Sequence, residues 1–176
     1  MTQTATTSPA AAAIQTGLDA MAWSRMVLKT MLEATPDEHF YRLPCPGGNH
    51  AAWVAGHIAY CEDGIRVGLG GGEPALGADR LAKYKELFGG GSVCREGAEG
   101  YPSRQELMDA LEKARAAAVT WFGGMSESDL KKPIEGGLAK LAADHGKMMG
   151  AYAGHEAFHA GQASMARRAA GMPAMF

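Results

Sequence analysis

The sequence predicts an all-α protein, a four-helix bundle with one long inter-helix connection. Apolar residues recur at three- and four-residue steps in four separate stretches, and clusters of Gly and Pro divide these stretches. No run of alternating β-branched residues is present, so strands are not expected. With 176 residues, 47% hydrophobic and 20% charged, the chain suits one globular domain. We therefore expect a single helical domain over residues 9–176, preceded by a polar, disordered tail at residues 1–8.

The first two helices are expected on either side of a break rich in Pro and Gly. The first is predicted from Pro9 to Ala34, because a proline suits a first helical turn and Pro36 stops the pattern. The second is predicted to start behind Asn49 as its N-cap and to end near Gly68.

A long connection follows, from Gly72 to Tyr101. It is loop-like, apart from a short helix predicted over Asp79–Phe88 with Asp79 as its cap. A connection of about thirty residues is unusual in a compact domain and is often functional. We expect it to be a crossover or the cover of a pocket.

The last two long helices have clear boundary signals. Ser103 and Glu106 form the pattern of a capping box and predict the start of the third helix. Ser126–Leu130 predicts a turn or a single helical turn. The last helix is expected over Leu138–Ala170, where a Gly and then a Pro follow.

Histidine placement is the most informative feature of the sequence. His155 and His159 are four residues apart, which places both rings on one helix face. His57 lies in another helix, on a stripe with Trp53 and Cys61 that should face the core. Bundles build metal sites from inward side chains of facing helices, and three histidines leave a coordination position open to water or substrate. We predict a divalent-metal site at His57, His155 and His159; the alternative is a histidine pair that is merely hydrogen-bonded in the core. The remaining histidines are placed outside the site, in a turn, at the surface or cap of the second helix, and off the ligand face: His39, His50 and His145.

Residues 155–159 also match H-E-x-x-H, the signature of zinc proteases. That chemistry needs a third ligand, either a later carboxylate or a histidine six residues after the second one. No Asp or Glu follows Glu156, and position 165 is Met165. We therefore reject the protease, and expect Glu156 to face solvent or to support a ligand.

Composition excludes several other classes. The net charge is −2 and the basic residues are scattered, so no nucleic-acid partner is expected. No apolar run approaches the roughly 20 residues of a membrane span, so no membrane partner is expected either. Three widely spaced cysteines without C-x-x-C, together with no visible signal peptide, favour reduced thiols and a cytoplasmic location.

Two stretches resemble the DinB/YfiT-like metalloprotein superfamily. Residues 155–162, His-Glu-Ala-Phe-His-Ala-Gly-Gln, are similar to the closing helix of that family, and Asn49–Gly64 is similar to its second helix. The resemblance implies a four-helix bundle, often homodimeric, with zinc or nickel on three histidines. Carried over to this chain, the ligands are His57, His155 and His159.

The resemblance also suggests an activity. Characterised relatives include isomerases and S-transferases that use mycothiol, bacillithiol or glutathione. We therefore expect a divalent-metal-dependent enzyme, a transferase or isomerase that uses a low-molecular-weight thiol and acts on a small electrophile. Tyr152 and Gln162 would support the ligands or contact substrate, or simply pack, and Cys61 would approach the metal or be a buried structural thiol. The alternative is a non-catalytic metal-binding protein of the stress response, in which a fourth protein ligand would fill the site.

Overall fold

The computed structural model describes residues 8–175 and confirms the all-helical bundle. Seven α-helices occur in this range: α1 (Pro9–Glu33), α2 (Asp37–Phe40), α3 (Ala51–Gly68), α4 (Ala78–Phe88), α5 (Arg104–Gly123), α6 (Glu127–Leu130) and α7 (His145–Ala169). A 3-10 helix, Gly136–Lys140, precedes α7. Over residues 8–175 the only β-type pairing is an isolated bridge between Pro133 and Asp144.

The four long helices α1, α3, α5 and α7 make the bundle. Helix α1 packs chiefly on α7, α3 packs on α5 and α7, and α4 lies against α3. One apolar cluster surrounds α3 and includes Leu28, Phe88 and Leu111; a second includes Met21, Phe122 and Met148. Burial of these side chains is the main force that holds the helices together. None of the helices described combines the length and hydropathy that a bilayer crossing requires.

Several helix boundaries agree with the sequence prediction. Ser103 and Glu106 form the expected capping box before α5, and α6 is the single turn predicted after it. Residues 1–7 of the expected tail lie outside the described residues. Ser8, the last residue assigned to that tail, is instead the N-cap of α1, where its side chain accepts a hydrogen bond from Ala11 N.

The N-cap predicted for α3 was wrong. His50, not Asn49, caps this helix, and its Nδ1 accepts a hydrogen bond from Trp53 N at 2.9 Å. The other ring nitrogen donates to the Arg95 carbonyl at 3.1 Å, which leaves Nδ1 free to accept. His50 is thus a cap, as one of its two predicted fates proposed, but it is fully buried rather than at the surface.

Two other helix starts also differ from the prediction. Helix α7 begins at His145 rather than Leu138, because Asp144 accepts a hydrogen bond from Lys147 N and caps the helix there. Leu141 therefore lies before the helix and is 52% exposed. Helix α4 starts behind Gly77, whose φ of +85° suits glycine, and Asp79 does not cap it.

The long connection holds α4 against α3 by a close contact at Gly56. A Cβ at this position would lie under 3.0 Å from the ring of Phe88, the fully buried last residue of α4. The missing side chain of Gly56 therefore allows α4 to approach α3.

Gly56→Ala should destabilise the protein, because the added methyl group displaces Phe88 and overpacking costs about 1–3 kcal/mol. Gly64→Ala is the matched control: it lies on the same helix, its nearest neighbouring atom is Tyr60 Cε2 at 3.9 Å, and helix propensity should add up to about 1 kcal/mol. Urea unfolding measures both. Equal or higher stability of Gly56→Ala would contradict the close packing described.

Candidate metal centre

Three imidazole rings meet between α3 and α7. His155 Nε2 lies 3.2 Å from His57 Nε2 and 3.1 Å from His159 Nε2. The ring centroids of His57 and His159 are 4.6 Å apart. His57 and His159 are buried, and His155 is partly buried. The structure thus brings together the three histidines that the sequence singled out.

Neighbouring oxygens set the tautomers of two of these rings. His57 Nδ1 lies 2.6 Å from the Phe88 carbonyl oxygen, which can only accept a hydrogen bond. His159 Nδ1 lies 3.0 Å from Gln162 Oε1, which also accepts from Asn49 Nδ2 at 3.2 Å. Both Nδ1 atoms therefore carry the proton of the neutral ring. The Nε2 atoms of His57 and His159 are left with free lone pairs.

With these tautomers, the three Nε2 atoms have too few protons for every short N···N contact to be a hydrogen bond. His155 Nε2 faces two lone pairs, those of His57 and His159, at hydrogen-bond distance and can carry only one proton. One of the two short N···N contacts is therefore without a hydrogen bond while the rings are neutral. A cation at the point where the three nitrogens converge removes this repulsion.

Burial keeps the rings neutral. Burial, with the neighbouring imidazoles adding to the shift, lowers the pKa of His155 and of His159 to about 4. Burial likewise lowers the pKa of His57, with the hydrogen bond to Phe88 opposing it. The lone pairs are thus available to a metal near neutral pH.

A thiol lies beside the same rings. Cys61 follows His57 by one turn of α3, and its Sγ is 3.5 Å from His57 Nε2. The ligand atoms of His57, Cys61 and His155 all lie within 4.8 Å of one another and could hold a metal ion. Of the two fates predicted for Cys61, the structure therefore shows the approach to the cluster. Burial raises the pKa of this thiol to about 12, with Glu62 adding to the shift.

An apolar cavity of about 230 Å³ adjoins the cluster, with His57, Cys61 and His155 in its wall. The rest of the wall comes from α3, the connection after α4 and the region of α7, and consists of Glu62, Ile65, Gly90, Leu141, Met148, Ala151 and Tyr152. The polar atoms of the two polar members are engaged elsewhere, since Tyr152 OH donates to the Glu62 carbonyl and the Glu62 carboxylate binds arginines. The cavity therefore presents a largely apolar surface.

Gln162 and Tyr152 each take one of the alternatives predicted for them. Gln162 contacts His159 as expected, whereas Tyr152 bonds the backbone of α3 and packs on Phe122. The indole of Trp53 stacks on the His57 ring, with centroids 4.5 Å apart. Its position one turn before His57 was the signal for this contact. No sequence pattern predicted the contact with the Phe88 carbonyl, because every residue has a backbone carbonyl.

Glu156 is fully buried, which corrects the expectation that it faces solvent. Its carboxylate accepts hydrogen bonds from Ser24 Oγ at 2.6 Å, Arg25 Nε at 2.5 Å and Arg115 Nη2 at 2.6 Å. The reason is that the face of α7 that carries Glu156 packs on α1, where Ser24 and Arg25 lie.

A second carboxylate completes this buried charge network. Glu62 accepts from Arg25 Nη2 at 2.9 Å and also pairs with Arg115. The network joins α1, α3, α5 and α7. Glu62 directly follows Cys61 in the chain, and Glu156 directly follows His155. Sequence reasoning missed it, because its members are distant in the chain.

The comparisons with known proteins bear on this fold and cluster. A family model described as the DinB superfamily matches residues 20–163, a span that contains all three histidines. The chain belongs to the DinB superfamily. This confirms the resemblance seen in the second and last helices. A search of curated proteins found no match to this DinB-superfamily chain.

Glu156→Ala should destabilise the fold by about 3–5 kcal/mol, because it leaves Arg25 and Arg115 buried with half of their negative partners. Glu127→Ala is the control: it removes an exposed pair with Lys131, for which about 1 kcal/mol or less is expected. Chemical denaturation gives both values, and Glu156→Gln, which keeps the volume, should lie between them. A loss at Glu156→Ala no larger than that of the control would show that the network does not stabilise the bundle.

Proposed function

We propose that this DinB-superfamily protein binds one divalent metal ion, zinc or nickel, through Nε2 of His57, His155 and His159. The carrying observation is that His155 Nε2 lies at hydrogen-bond distance from Nε2 of both other histidines, while the three nitrogens share at most one proton. Nitrogens about 2.0–2.1 Å from a tetrahedral zinc ion are about 3.3 Å apart. The separations of 3.2 and 3.1 Å about His155 are close to this value.

The hydrogen bonds behind the rings support the same proposal. Metal-binding histidines usually donate their second N–H to a carbonyl or carboxylate, which orients the ring and fixes its tautomer. The Phe88 carbonyl serves His57 in this way, and Gln162 serves His159. The donor set suits zinc and nickel, which imidazole binds well.

We further propose that the protein is an enzyme, a thiol-dependent transferase or isomerase that acts on a small electrophile. A divalent ion held by these residues lowers the pKa of a thiol or water that coordinates it, so that the anion is available near neutral pH. The cavity is the chain's own contribution. Ile65, Met148 and Ala151 in its wall exclude water and hold an apolar molecule beside the histidines. No Lys or Arg occurs among the described residues of this wall, which favours a neutral substrate.

The rival function is a non-catalytic metal-binding protein of the stress response. One observation favours it: Cys61 is close enough to the cluster to act as a further protein ligand. Metal binding is common to both functions, and turnover separates them.

His57→Ala, His155→Ala and His159→Ala should each lower the metal content below one equivalent, because each variant loses one imidazole ligand. Helicity should be mostly retained, since the apolar clusters remain. Elemental analysis and circular dichroism of the purified proteins measure these effects. The control is His145→Ala, on the same helix at its first turn, which should keep a full equivalent. Full metal content in all three site variants would refute the assignment.

The metal-loaded protein should consume a low-molecular-weight thiol in the presence of a neutral apolar electrophile, and much less with a carboxylated analogue. A panel of mycothiol, bacillithiol and glutathione with each electrophile tests this, and metal-free protein and His155→Ala serve as controls. Ala151→Phe fills the cavity and should lower turnover roughly 10-fold or more while metal content stays unchanged. Turnover with none of the thiols would favour the non-catalytic rival.

A further inference from the structure

Cys61 lies where the histidine cluster meets the apolar cavity. Its position four residues after His57 places both side chains on the same face of α3. The thiol lines the cavity, together with His57 and His155. It therefore borders both the histidine nitrogens and the space proposed for substrate.

The position of the sulfur fits direct metal coordination. Zinc binds thiolate sulfur at about 2.3 Å and imidazole nitrogen at about 2.0–2.1 Å, which in a tetrahedral site separates the two donor atoms by about 3.6 Å. Cys61 Sγ lies 3.5 Å from His57 Nε2. It also lies within 4.8 Å of the ligand nitrogen of His155. His159 is not part of this group of ligand atoms, so binding by all four residues requires side-chain rotations that draw them around a common ion.

We propose that Cys61 is the fourth ligand of the ion, so that the resting site has three imidazoles and one thiolate. This inference rests on the proposed function for the ion itself, and concerns which group fills its remaining position. The other two cysteines are not candidates, because neither shares the cluster: Cys45 is exposed, and Cys94 packs with the apolar residues around α3.

Coordination by Cys61 would regulate the site. With four protein ligands the ion has no water in its coordination shell, as in closed structural sites. A thiol cofactor that enters through the cavity must then displace the thiolate of Cys61: its proton passes to the Cys61 sulfur, which leaves the ion as a thiol, and the thiolate of the cofactor takes the fourth position. Cys61 thereby keeps the ion inactive until a thiol binds. The soft sulfur also favours zinc over magnesium, calcium or manganese.

Cobalt substitution tests this ligand directly. The metal-free protein loaded with one equivalent of Co²⁺ should show a thiolate-to-cobalt charge-transfer band in the near ultraviolet. Cys61→Ser should lose the band and retain cobalt, whereas Cys45→Ser and Cys94→Ser should keep it. Addition of 2-mercaptoethanol to Cys61→Ser should restore the band, because the external thiol takes the vacated position.

A measurement on the unmodified protein covers the case in which Cys61→Ser folds poorly. X-ray absorption of the zinc-loaded protein should show one sulfur scatterer at about 2.3 Å among nitrogens. Cobalt or zinc bound without a sulfur ligand would overturn the role of Cys61 and leave the three-histidine site standing. Persistence of the band in Cys61→Ser would also overturn it. Failure of the unmodified protein to bind either metal would overturn the proposed function and this inference together.

Discussion

The buried charge network is the constraint on which the rest of the structure depends. Two carboxylates, Glu62 and Glu156, alternate with two guanidinium groups, Arg25 and Arg115, and all four side chains are nearly inaccessible to water. Removal of each charge from water costs several kcal/mol, so the network is tolerated only when every member is paired. Because the four residues come from four different helices, pairing fixes how these helices are rotated and shifted relative to one another. The cluster inherits this arrangement, since one carboxylate follows Cys61 and the other follows His155 in the chain.

A second series of contacts determines the chemistry of the cluster. The absent side chain of Gly56 lets α4 lie directly on α3, and this contact brings the Phe88 carbonyl to His57 Nδ1. That hydrogen bond decides which nitrogen of His57 keeps a lone pair. Gln162 does the same for His159 from within α7. The long connection thus contributes to the site through α4, which orients a histidine, and through Gly90, which lines the cavity.

Metal binding and catalysis make different demands on this arrangement. Convergence of three neutral imidazoles is sufficient for an ion, and membership of the DinB superfamily agrees with such a site without naming a reaction. Catalysis also needs an exchangeable position and space for substrate. The apolar cavity offers the space, and under our proposal Cys61 occupies the position that must exchange. The behaviour of this one thiol therefore links the enzymatic and the non-catalytic proposals.

The sequence by itself determined the helical bundle, the capping box before α5, the family, and the three histidines as a group. These features depend on local signals: the 3.6-residue period, capping side chains, and a four-residue histidine spacing. Only the tertiary structure decided that His50 caps α3 and that Glu156 is buried. It also decided which oxygen orients His57. The burial of Glu156, the orientation of His57 and the Arg95 contact that leaves His50 Nδ1 free to cap α3 all depend on segments far apart in the chain. A local pattern does not specify how one helix is rotated against another.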